Sequence, residues 1–429
     1  MFAICAYGNI RMQTLRAMLH EGLTDQKLPF SRPMSKQSPY EQDFQKFIKS
    51  QSIVHANVPT WPTFNRGSFR SNTLPANGPL PIKSGRQLGK GVSAEVFVTQ
   101  FDTQCRPTLT WAATEDAKDR TLSRALALKV FSDSAQADRE QDFVEYLHTQ
   151  GIQHAHIAES YCGFEYRAKY HLVSELAEMN LEMHMADRKP RHRVCNATWF
   201  RSQIIGLVDA LKTIHGPTNA TTAFHHDIKP ANILVSDSTQ ATLKFTDFGT
   251  AGFDNNYTSA AGSHRTHAQG NLYLPPEYRN NQPTSRPHGV WPLGCVLLEF
   301  CVWYSDHWAP ENPDGLYKFK NDIINAENND RQGWFVEGPL DRHVSQPGES
   351  AVQGPSNHPD FMGTRNGRPL VLVAPTVTKL GGLRQKTGCP NMTLLVDVLF
   401  KMLHINPELR ITPACALTEL DAIPTPWAT

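Results

Sequence analysis

The spacing of the apolar residues changes partway along the chain, and this change limits which folds the chain can adopt. Between about 82 and 177 the apolar positions come in short alternating runs. "RQLGKGVSAEVFVTQF" reads as strand, glycine turn, strand, while "RALALKVF" and "KYHLVSELAE" read as further strands. "DREQDFVEYLHTQG", between them, reads as a helix. From about 180 the spacing becomes helical. "TWFRSQIIGLVDALKTIHG" carries apolar residues at 199, 200, 204, 205, 207, 208, 211 and 214, with Gly216 as its stop. "VWPLGCVLLEFCVW" is nearly all apolar and reads as a buried helix, and "MTLLVDVLFKMLH" and "TPACALTEL" read as closing helices. Strands first and helices afterwards predict an α+β protein with a small sheet lobe and a larger helical lobe.

At 429 residues the chain is too long for one small core, which fits two lobes with insertions. A formal net charge of +1 gives no electrostatic reason to expect nucleic acid or a membrane surface as partner. The eight cysteines form no CxxC pair and read as free thiols of a reducing compartment. There is no run of about 18 apolar residues, and the start lacks a basic head before its short apolar patch. The expected location is therefore intracellular, cytoplasmic or nuclear. Residues 1–75 read as a helical and flexible lead-in, and the Pro-, Gly-, Asn- and Asp-rich stretch 304–390 as a loop-rich insertion.

Several residues could carry chemistry. Gly89 and Gly91 sit between two strands, where backbone without side chains can approach phosphates and offer N–H groups. Lys129 lies inside an apolar strand; to reach a phosphate it needs an acidic partner that fixes its stem. Spacing favours Glu145 on the following helix, with Glu140 as the alternative. In "HHDIKPANIL" Asp227 could accept a proton from an attacking hydroxyl, Lys229 could offset charge on a transferred phosphoryl group, and Asn232 could offer an oxygen to a hard metal ion. Fifteen residues after Asn232, "TDFG" supplies Asp247 as a second metal ligand and Gly249 to let the chain turn. In this order the set matches phosphoryl transfer from a nucleotide with Mg²⁺.

With these motifs the chain resembles the eukaryotic protein kinase family over roughly 82–429. "LGKGVSAEV" is similar to its glycine-rich loop, "LALK" to its lysine strand, "HHDIKPAN" to its catalytic loop and "DFG" to its metal-binding turn. "YLPPE" is similar to the end of its activation segment, and "NPELR" supplies Arg410 as a partner for Glu277. The lysine of "DIKPAN" follows the serine/threonine type, and the wider style also looks like divergent kinase-like proteins of filamentous fungi. The resemblance implies a bilobal fold, with an N-lobe over 82–177 and a C-lobe over 178–429. It also implies ATP and Mg²⁺ as cofactors and a protein as substrate. Leu88, Val96, Ala127 and Leu234 would enclose the adenine. Glu175 to Ala177 would form the hinge, with the small Ser174 beside a deep pocket.

The chain departs from the family pattern where the catalytic loop is normally braced. His226 replaces an arginine that clamps a phosphorylated activation segment, so no strong dependence on such phosphorylation is expected. Gly270 replaces a threonine and Gly289 a buried aspartate that holds the loop backbone, and Pro292 and Ala94 replace a serine and the third glycine. These departures leave open a pseudokinase, a nucleotide-binding or scaffold module.

Overall fold

The computed structural model describes residues 10–20, 40–57, 67, 69–70, 73–74, 80, 82–101, 125–187, 196–216, 222–236, 240–254, 272–279, 286–307, 314–326, 334–337, 364–365, 368–385 and 390–425. Among the described residues two helices come first, α1 (Met12–His20) and α2 (Glu41–Asn57). The Asp43 carboxylate joins them, accepting from Arg11 Nε at 2.8 Å and Thr14 Oγ1 at 2.9 Å.

Five antiparallel strands follow: β1 (Ile82–Lys90), β2 (Ala94–Phe101), β3 (Leu126–Phe131), β4 (Ser160–Tyr166) and β5 (Lys169–Glu175), in the order β1-β2-β3-β5-β4. Helix α3 (Ser134–Thr149) leaves β3 and returns over the sheet. Asp133 starts it by accepting the Gln136 N–H at 3.0 Å, which satisfies one of the otherwise unpaired first-turn donors. Its buried face is Ala137, Glu140, Phe143, Val144 and Leu147, at helical spacing. The sheet is covered on both faces. Phe131 and Leu172 belong to the main core with α3, and Leu126, Leu128 and Val173 to a second cluster on the other face.

The rest is mainly helical. In chain order come β6 (Met179–Asn180), α4 (Leu181–Ala186), α5 (Ala197–His215), β7 (Thr222–Phe224), β8 (Ile233–Val235), β9 (Leu243–Phe245), β10 (Gly252–Asp254), α6 (Pro276–Arg279) and α7 (Val290–His307). After them come α8 (Gly315–Ile324), β11 (Phe335–Glu337), β12 (Thr364–Arg365), β13 (Arg368–Leu372), α9 (Ala374–Arg384), α10 (Pro390–Met402) and α11 (Pro413–Ala422). Helix α7 is buried along residues 290–305, as a helix that is apolar all round should be. Pro292 falls in its first turn, where N–H groups have no partner within the helix, so the ring costs no hydrogen bond. Small ladders β6-β8-β9 and β10-β7 carry the loops between α5 and α7.

Within 304–390 the described residues include packed elements. Phe319 and Ile323 of α8, Trp334 and Phe335 at β11, and Leu380 and Leu383 of α9 are buried in the main core. Short apolar stretches alternate with polar ones in the sequence there, which hides their common face in a reading by composition. Among the described residues no helix is long and apolar enough to cross a membrane.

Candidate active site

The register of the sheet sets the first half of the site. Directly opposed residues of antiparallel strands share a face. Lys129 opposes Val96 on β2 and Leu172 on β5, and Ala127 opposes Val98 and Ser174, so Lys129, Ala127, Val96 and Ser174 lie on one face. Lys129 Nζ is within 2.5 Å of Glu140 Oε2 and 2.7 Å of Asp247 Oδ1. Burial alone would lower the ammonium's pKa, but the two carboxylates outweigh it and hold Lys129 above its usual range. Burial likewise disfavours the Asp247 carboxylate, and Lys129 more than compensates, leaving Asp247 below its usual range.

The partner of Lys129 is therefore Glu140, and Glu145 is corrected. At about 100° per residue, Glu145 lies ~140° around α3 from Glu140. It is half-buried and pairs with Arg70, together with Asp142. Glu140 is 3% exposed and faces the sheet.

The second half of the site sits on the loop after β7, which ends in a 3₁₀ turn, Pro230–Asn232. Lys229 Nζ donates to Asp227 Oδ2 at 2.7 Å, and Asn232 Nδ2 donates to the same oxygen at 2.8 Å and to Asp227 O at 2.9 Å. The Thr246 N–H donates to Asn232 O at 3.1 Å, which sets the loop beside Asp247. Asp247 has φ +64, an unusual conformation for a non-glycine residue that turns its carboxylate toward Lys129. Gly249 lies against the ion pair: a Cβ there would stand in ordinary contact with Glu140 Oε2 at 3.4 Å and Asp247 Oδ1 at 3.5 Å.

Rings pack beside the loop at His226 and Gly289, the positions where the sequence departs from the family pattern. His226 has φ +63, and its ring lies 5.4 Å from those of Phe224 and His288. A Cβ on Gly289 would come within 3.0 Å of His215 Nε2 and 3.3 Å of Leu211 Cδ1. His215 thus fills the space an aspartate would need, and its ring packs 5.7 Å from Phe224. Thr250 Oγ1 donates to His225 O at 3.0 Å, and the His225 ring meets Phe248 at 5.0 Å and bonds Thr246 O at 3.0 Å. Gly270 lies outside the described residues. Further on, Arg410 holds Glu277 in a buried bidentate pair at 2.7 and 2.9 Å, as the motif pairing implied.

The remaining expected residues are placed as follows. Gly89 opposes Val96 in the β1–β2 hairpin, and the Gly91 N–H closes the turn onto Ala94 O at 2.8 Å. Among the described residues no atom beyond its chain neighbours lies within 4 Å of where a Cβ on Gly89 would be. Leu88 is exposed, and Val96, Ala127 and Leu234 are half-buried apolar residues between buried neighbours or at the hairpin. The Glu175 carboxylate is held by Lys244 at 2.7 and 2.9 Å and by the Glu159 N–H at 2.8 Å, tying the end of β5 to β9. Ala177 follows, half-buried, and Ser174 Oγ meets Ser160 Oγ at 3.2 Å. Sequence reasoning missed the ring set of His215, Phe224 and His288. The one sequence signal for it is the aromatic and imidazole content of "FHHD" and "RPHG".

A two-lobed fold with a lysine–carboxylate pair over a loop bearing Asp, Lys and Asn defines a phosphotransferase-type site. Residues 110–420 match the protein kinase domain family, and the chain belongs to it. It is similar to the serine/threonine-protein kinase fused of Drosophila melanogaster, 30% identical over 186 residues that cover 41% of this chain and 21% of that protein. It is similar to the dual specificity tyrosine-phosphorylation-regulated kinase mbk-2 of Caenorhabditis elegans, 24% identical over 327 residues, covering 70% of this chain and 36% of that protein. An Aurora kinase of Yarrowia lipolytica is 24% identical over 238 residues, 54% of this chain and 55% of that protein. The chain thus spans about a fifth to just over half the length of these curated relatives.

Proposed function

We propose that this chain transfers the γ-phosphoryl group of ATP, with Mg²⁺, to a serine or threonine hydroxyl of a protein substrate. The observation that carries this reading is the ion-paired cluster of Lys129, Glu140 and Asp247 beside the Asp227–Lys229–Asn232 loop. Lys129 binds the nucleotide phosphates, and Glu140 keeps its stem in place. Asp227, oriented by Asn232 and Lys229, accepts the proton of the substrate hydroxyl. Lys229 offsets the charge of the transferred group. Leu88, Val96, Ala127 and Leu234 cover the adenine, and the backbone from Glu175 to Ala177 offers it hydrogen bonds.

The donor set suits magnesium. The Asn232 amide nitrogen is committed to Asp227, leaving the amide oxygen, and Asp247 adds a carboxylate; both are hard oxygen donors. The open space at Gly89 suits a phosphate approaching the backbone. The metal, when bound, neutralises charge on the triphosphate.

The test is transfer of labelled phosphate from ATP to a generic protein substrate by wild type and Asp227→Asn. Loss of transfer in the variant is expected, and equal rates overturn the reading. A second reading, a nucleotide-binding or scaffold module, is favoured by Gly289 and His226, because the loop is braced by ring packing. In that case ATP with Mg²⁺ raises the melting temperature, Asp247→Ala removes the rise, and wild type transfers nothing.

A further inference from the structure

Strand β4 is an edge of the five-stranded sheet, and a piece of chain from before β1 lies along it. The Gly67 N–H donates to Tyr161 O at 3.0 Å and the Leu74 N–H to Glu165 O at 2.8 Å, and Thr73 bridges Glu165 in parallel. This is strand-edge pairing within one chain. The two flanking side chains go to opposite faces. Leu74 is buried in the second cluster with Tyr161, Phe164 and Tyr166, while Phe69, 2% exposed, joins the main core with Phe143, Val144 and Leu147 of α3.

The Phe69 ring stands edge-on to His148 of α3, centroids 6.3 Å apart. Gly67 has φ +79, and a Cβ there would run into the His148 imidazole, so both the turn and the close approach need glycine. Arg70 reaches Asp142 and Glu145, one turn apart on α3, and also feels the charge of Asp138. These three carboxylates occupy one flank of α3 and repel one another. The guanidinium fork spans two of them at once. Arg70 thus engages α3 on a different flank from Glu140, while Phe69 packs against the buried face that also carries Glu140.

We propose that Phe69 and Arg70 are positioning residues that hold α3 against the sheet with Glu140 facing Lys129. The inference rests on the phosphotransfer reading for its catalytic consequence alone; the placement of the helix is independent of it. The anchor is Phe69, and Arg70 sets which turn of α3 meets the sheet edge.

The experiment uses the full chain as wild type, Phe69→Ala, Arg70→Glu, and Arg70→Glu combined with Asp142→Arg and Glu145→Arg. Amide hydrogen exchange is read over residues 134–149, with residues 290–307 as the folding control, alongside kcat for a generic protein substrate at saturating ATP. Expected are exchange over 134–149 faster by about tenfold or more in Phe69→Ala and Arg70→Glu, with 290–307 still protected. A parallel fall in kcat, and recovery of both in the charge-swapped variant, is also expected. Unchanged exchange over 134–149 in both variants, or no recovery on charge swap, overturns the proposal. If wild type transfers no phosphate, the kinase reading fails by itself and the exchange arm still decides this one.

Discussion

Lys129 keeps its charge because two carboxylates surround it, and only one of them belongs to the chain's permanent frame. Glu140 is fixed in the core, whereas Asp247 is half-exposed, so a phosphate can compete for Lys129 against Asp247 without disturbing Glu140. Removing the fixed partner leaves a mostly buried ammonium short of one bond, a loss of about 1–3 kcal/mol. Glu140→Gln is therefore expected to lower kcat/KM for ATP by ~5- to 150-fold. Glu145→Gln, which weakens an exposed pair worth about 0–1 kcal/mol, should stay within ~5-fold. Steady-state kinetics of the two variants checks this, and equal losses would contradict the assignment of the pair. The residues of the loop and turn, Asp227, Lys229, Asn232 and Asp247, were legible because they stand at short fixed offsets in sequence. Glu140 was not, because α3 offers several acids and only its rotation relative to the sheet selects one.

At the scale of elements, the end of α5, strand β7 and the 3₁₀ turn Arg286–Gly289 before α7 together brace the loop that carries Asp227. The backbone at His226 is held in the left-handed region, which costs of order 1–3 kcal/mol when unsupported. Here the support is the packing of His215, Phe224, His226 and His288. Gly289→Asp is expected to destabilise the fold by about 1–3 kcal/mol, because its side chain would be forced onto His215 and Leu211. Adding His215→Ala should recover part of that loss. Urea unfolding of the single and double variants measures both, and simple additivity would argue against the shared space. The helices themselves were legible from their period. The core helices α8 and α9 were not, because each is short and lies in a stretch rich in Pro, Gly, Asn and Asp, so their common apolar face emerges only once α7 is in place.

On the scale of the whole molecule, buried imidazoles make stability depend on pH. His156, packed against Gly206 and bonded through Nδ1 to Leu243 O at 2.7 Å, has its pKa pushed by burial from 6.5 down to about 4. Burial also lowers His225 and His171. An unfolded histidine takes up a proton near pH ~6.5 while the folded one refuses it, so stability is complete above that pH and falls as pH drops toward 4. For His156 alone the loss reaches about 3 kcal/mol. Urea midpoints between pH 7 and 4.5 should fall, and His156→Gln should flatten the slope. A slope unchanged in that variant would remove His156 from the account. The two-lobed plan was legible in the change of period near residue 180. The fastening of the region before β1 onto the sheet was not, since an isolated Phe69 among polar residues has no period to betray it.

That fastening also has a place in time. Synthesis runs from the N-terminus, so Phe69 and Leu74 are made before the strand edge they cover. Roughly 90 residues separate Leu74 from Glu165, and at about 5–20 residues per second this is a wait of ~5–20 s. Through that interval two apolar side chains stay open to whatever binds nascent chains, and the β4 edge is covered by a segment already made when the strand itself appears.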